Sequence, residues 1–147
     1  MRKAYLLIFV FFFSCSTRPP IATYVKSELV AVSADAVAFD VTFSFANTNN
    51  EPVELLAFDY SVLTNNRKVY TGLHEAQLTI PRQSEIQNAI PVVINRLVLT
   101  EDAFITWQLK GQVDYLAPDA LSKTLRSAGL LQPSSSIFAQ GEIQIPN

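Results

Sequence analysis

Apolar and polar side chains alternate along most of this chain with the period of a β-strand that buries one face. Phe39, Val41, Phe43 and Phe45 share one parity and Asp40, Thr42 and Ser44 the other, until the pattern stops at Asn47. Asn47, Thr48, Asn49, Asn50 and Pro52 follow. Asparagine side chains bond their own backbone and tolerate left-handed conformations, so the chain turns there. Upstream, residues 21–32 read as a first strand with Val25, Leu29 and Val32 inward, its pattern blurred by Lys26 and Glu28. Downstream, Phe58, Tyr60 and Val62 share a face, and Asn65-Asn66 turns the chain back through Val69 and Tyr70 as a hairpin. Leu78 and Ile80 mark a short strand that Pro81 ends, and residues 86–94 form another. Pro91 donates nothing to a ladder, which puts that strand at an edge or gives it a bulge. The longest alternation is Ile105, Trp107, Leu109, Gly111, Val113 and Tyr115, and Ile137, Ala139, Gly141, Ile143 and Ile145 repeat it at the end.

Two windows depart from this period. Residues 95–104 hold a short helix with Asn95 as its cap. Residues 118–128 hold another, with Pro118 as first helical residue, Asp119 in the positive first turn, Leu121 and Leu125 on one face and Gly129 as the stop. About seven short strands with Asn and Pro turns predict an all-β, antiparallel β-sandwich with one or two short helices.

Composition narrows the picture. With 147 residues, 49% of them hydrophobic and 16% charged, the chain has core material for one domain and is not disordered. A net charge of -2 leaves no basic footprint for nucleic acid. Cys15 is the only cysteine and His74 the only histidine, which excludes an intrachain disulfide and makes a zinc site a poor fit. Gly-rich phosphate loops, Gly-x-Ser-x-Gly and His-Glu-x-x-His are absent. Glu101-Asp102, or Asp114 with Asp119, would be the carboxylate pairs for acid–base work, but single acids at turns and strand exteriors are ordinarily solvated. The sequence thus predicts no catalytic residue, no metal and no cofactor. Asn47, Asn49 and Asn50 read as turn formers and His74 as a surface loop residue.

The amino terminus carries an address. Arg2 and Lys3 precede an apolar run over residues 4–13, too short for a permanent membrane span, which takes roughly 20 residues, and of signal-peptide length. Ser14-Cys15 then resembles a bacterial lipoprotein cleavage box, with Phe12 and Phe13 where a leucine and a small residue are more usual. The competing reading is a signal anchor, or an ordinary signal-peptidase site with an incidental cysteine. The resemblance implies residues 1–14 as signal peptide, Cys15 as the lipidated first residue of the mature chain, residues 15–20 as anchor and polar spacer, and 21–147 as the domain. Losing Arg2 and Lys3 from 11 basic residues against 13 acidic ones leaves that domain mildly acidic. Ser16, where an aspartate would favour retention at the inner membrane, implies the outer membrane of the cell envelope, facing the periplasm.

The order of motifs resembles the late-embryogenesis-abundant (LEA) type 2 family, also called the water-stress and hypersensitive-response (WHy) domain. The aromatic strand ends in Asn47-Thr48-Asn49, where the family has Asn-Pro-Asn. Asn65-Asn66 and Val69 match its second hairpin, Gly72 the small residue after it, and Thr79-Ile80-Pro81 its Ile-Pro step. Residues 90–94, 111–115 and 141–146 match its later strands. The resemblance implies an immunoglobulin- or fibronectin III-like sandwich without enzyme activity, tied to desiccation or other stress tolerance, with client proteins or lipids as partners. An alternative from the residues themselves is a lipid or hydrophobic-ligand carrier of the envelope. In that reading the ring-rich core opens at one end, and Leu121, Leu125, Leu130 and Leu131 of the long connection lid it. The simpler reading is a helix that closes the sandwich.

Overall fold

The computed structural model describes residues 17–99, 104–130 and 132–146. Seven antiparallel strands form two sheets: β1 (Ile21–Val32), β2 (Ala36–Asn47), β3 (Val53–Thr64), β4 (Arg67–Ile80), β5 (Ser84–Asn95), β6 (Phe104–Leu116) and β7 (Ser134–Gln144). One sheet has the order β1-β2-β5 and the other β4-β3-β6-β7. They pack face to face as the expected β-sandwich. A single 3-10 turn at Arg96–Val98 and one helix, α1 (Ala120–Ser127), complete the elements of the described residues.

The core is the inner parity of each strand. Phe39, Val41, Phe43 and Phe45 of β2 are buried, as are Phe58, Tyr60 and Val62 of β3 and Trp107, Leu109 and Val113 of β6. Rings bridge the two sheets, Phe39 to Trp107 with centroids 5.5 Å apart and Phe45 to Phe58 at 5.4 Å. Such contacts add to the large area that each ring removes from water.

Bulges adjust the parity where the sequence alternation falters. Between Leu55 and Ala57 the register shifts, so Val53 and Leu55 face inward on one parity while Phe58, Tyr60 and Val62 do so on the other. In β1 the register shifts between Tyr24 and Lys26 and again between Leu29 and Ala31. Val25 is therefore 43% exposed at a bulge rather than inward, while Leu29 and Val32 are half-buried. β4 is one strand of 14 residues rather than two short pieces, with bulges opposite Leu55/Ala57 and Val62/Leu63 breaking its alternation. Thr42 and Ser44, on the outer parity, are also buried, because β2 is the middle strand and is flanked on both sides.

β5 lies at a sheet edge, and its pairing with β2 runs without a shift from Ser84 to Asn95. Pro91 thus fits by edge position, without a bulge. Tyr60 reaches across from β3 to donate a hydrogen bond to the Pro91 carbonyl. Its ring passes over Gly72, where a Cβ would lie 2.5 Å from the Tyr60 Cζ. Burial, then the neighbouring Tyr70, pushes the Tyr60 phenol well above its usual range. The β3–β4 hairpin turns on Asn65 and Asn66, both with positive φ (48° and 61°), as a tight right-twisted hairpin requires.

Candidate functional site

The strand register sorts the loops to two ends. Ile21 pairs with Ala46, Val53 with Ile80, and Glu54 with Leu116. Hence the segment entering β1, the β2–β3 loop, the β4–β5 loop and the β6–α1 corner share one end. The β3–β4 hairpin and the 3-10 turn lie at the other.

Asn47 organises the first end. It is 2% exposed, and its amide nitrogen donates to the carbonyls of Glu51 (2.8 Å), Pro81 (3.1 Å) and Ile80 (3.2 Å). Its Oδ1 accepts from the backbone and side-chain nitrogens of Asn49, both at 2.9 Å. Asn49 in turn clamps the entering segment: Arg18 N donates to Asn49 Oδ1, and Asn49 Nδ2 donates to the Arg18 carbonyl, each at 2.9 Å. Gln83 closes the far side, its backbone N–H on Asn49 O (3.2 Å) and its side chain on Thr48 O (2.9 Å).

A second clamp comes from the helix. Asp119 is the N-cap of α1, one position outside the helix instead of within its first turn. Its carboxylate accepts from Ser122 N and Ser122 Oγ, both at 2.7 Å, and from Thr17 Oγ1 at 3.2 Å. These donors, Ser122 first, hold the carboxyl below its ordinary range. Ser135 Oγ donates to the carbonyl of the buried Pro20 at 2.9 Å. Between these groups lies an open cleft of about 460 Å³, lined chiefly by Arg18, Asn49, Asn50, Glu51, Gln83 and Asp119.

The residues singled out in the sequence are distributed as follows. Cys15 and Leu131 lie outside the described residues, as do Glu101 and Asp102. Leu121 belongs to α1, Leu125 is half-buried on it, and Leu130 is 74% exposed just past its end. Gly129 stops the helix at φ 70°, with Gly129 N on Arg126 O and Leu130 N on Leu125 O, a Schellman arrangement. His74 lies in β4, half-buried, its ring 6.2 Å from that of Phe58. The asparagines are turn formers, as read, but Asn47 and Asn49 also bond backbone from 31 to 34 positions away. Arg18 and Gln83 carried no sequence signal of their own, because their partners are fixed only by strand register.

Three plus four antiparallel strands around a ring-filled core define a fibronectin III-like β-sandwich with a polar cleft at one end. Solved structures share that fold. The solution structure of At1g01470 from Arabidopsis thaliana superposes with a TM-score of 0.70 at 16% identity, over 98% of this chain and 93% of that one. A putative late embryogenesis abundant (LEA) protein, At2g46140.1, gives 0.65 at 17% identity, over 86% of this chain and 71% of its own. A protein from Archaeoglobus fulgidus gives 0.59 at 12%, over 85% and 99%. No family model matches the chain, and no curated protein matches it in sequence.

Proposed function

We propose that this protein is a non-enzymatic, lipid-anchored β-sandwich of the bacterial cell envelope, of the LEA type 2 or WHy kind, acting in desiccation or other stress tolerance. One observation carries the reading. The motif order that resembles the family runs along a chain whose whole sandwich superposes on LEA-type structures, with each motif at a turn or strand of that fold. The cleft-lining Asn49 and Asp119, and the buried Asn47 behind them, support a non-catalytic role, since they are engaged in holding backbone. The outer face of the four-stranded sheet is rich in amides and hydroxyls, among them Gln112, Gln140 and Ser136, all exposed. The same face also exposes the charged Asp59, Lys110 and Glu142 and the apolar Leu73 and Phe138, so it would meet water or a drying client surface with both hydrogen-bonding and apolar groups. Freeze–thaw or heat inactivation of a client enzyme, with and without the protein, tests this. Protection should exceed that given by the same mass of serum albumin, and protection no better than albumin would count against the proposal.

A second reading, carriage of a lipid or other hydrophobic ligand, is favoured by one feature, the 74% exposed Leu130 beside the half-buried Leu125. Native mass spectrometry decides it: protein purified from cells without bound lipid, and unable to take up a fluorescent fatty acid, would exclude it.

A further inference from the structure

The anchor leaves the sandwich on almost no leash. Of the residues after Cys15, Thr17 is bonded to Asp119, Arg18 is held at both its N–H and its carbonyl by Asn49, and Pro20 is buried and bonded to Ser135. Pro19 and Pro20 stiffen what lies between. Only Ser16 separates Cys15 from Thr17 in the sequence, a covalent reach of at most about 7 Å. A lipid on Cys15 places the bilayer surface against this end of the domain.

We propose that the end carrying the β2–β3 loop, the β4–β5 loop and the β6–α1 corner is a membrane-apposed face, held on phospholipid headgroups by the clamped spacer. The proposal rests on the lipid-anchor reading above and adds an orientation to it. β2, at 12 residues, is roughly 40 Å long at the rise of an extended strand. The β3–β4 hairpin and the 3-10 turn therefore stand about that far from the membrane, with Leu97, 91% exposed, at the free tip. Charge does not hold the face down, because the exposed Arg18 and Arg82 are offset by Glu51 and Asp119. The orientation is set by covalent reach and hydrogen bonds, and salt leaves it unchanged where a purely electrostatic contact would loosen.

The full-length acylated protein, reconstituted in phosphatidylethanolamine and phosphatidylglycerol liposomes doped with a nickel-chelating lipid, provides the test. Nitroxides are placed on Thr48→Cys at the apposed end and on Arg67→Cys at the free end, both exposed positions. Relaxation by headgroup nickel should be several-fold faster at position 48 than at 67, at low and high salt alike. Inserting a Gly-Ser segment of about ten residues after Ser16 frees the leash, and should equalise the two positions while the melting temperature stays the same. Equal relaxation in the acylated parent protein, or a contrast that survives the insertion, would overturn the orientation alone. An intact mass without acyl chains on Cys15 would remove the anchor and the orientation together.

Discussion

At the residue scale, Asn47 fixes the end of β2 with one side chain. Its amide satisfies carbonyls from two different loops, and burial makes those bonds costly to lose. Asn47→Ala is expected to lower stability by about 1–3 kcal/mol for the polar groups left unpaired. Asn50→Ala, at an exposed position, should stay within about 0.5 kcal/mol. Urea midpoints for the two variants check this, and equal midpoints would mean that Asn47 is only a turn former. Asp119 gives a pH-dependent counterpart. Its folded pKa is depressed, so its contribution is complete above the ordinary aspartate range and is lost as pH falls through the lower, folded value. Asp119→Asn should therefore be less stable than the parent protein at neutral pH, with the difference shrinking in acid below pH ~4. A gap in melting temperature that is constant across that range would contradict the assignment of the carboxylate as the cap.

At the element scale, what was legible in the sequence followed from period and turn chemistry. The ring-bearing β2, the Asn65-Asn66 hairpin and the long alternation of β6 each needed only local rules, and Pro91 narrowed β5 to an edge position or a bulge. β1 and β4 blurred because bulges change the inward parity within one strand, and a bulge is set by the neighbouring strand's register. The clamps of the cleft were illegible for a related reason, since Asn49 meets Arg18 only after β1 pairs with β2. Gly72 shows how a local resemblance acquires a physical cause. Its lack of a side chain lets the Tyr60 ring cross β4 and reach the Pro91 carbonyl on the edge of β5. Gly72→Ala should cost about 1–3 kcal/mol by overpacking. In a Tyr60→Ala background the same change should cost less, a coupling of about 0.5–3 kcal/mol. Strict additivity in the double variant would show that the ring and the glycine are independent.

At the scale of the whole molecule, folding and the proposed anchoring would use different residues and meet in the spacer. The apolar core cluster draws on all seven strands, whereas Thr17, Arg18 and the buried Pro20 tie the spacer to three separate loops or strands. Each such bond contributes about 0.5–1.5 kcal/mol net, and the exposed ones sit at the low end of that range. If Cys15 carries the proposed lipid, Cys15→Ser should release the protein from the membrane fraction and leave its urea midpoint where a chain beginning at Thr17 has it. A chain beginning at Ile21 should still unfold in one cooperative step, because the core is intact, but with about 1–3 kcal/mol less stability from the lost bonds. Three coincident midpoints would mean that the spacer bonds carry no free energy. The spacer would then be a free linker, and the domain on its lipid would have no preferred end toward the membrane.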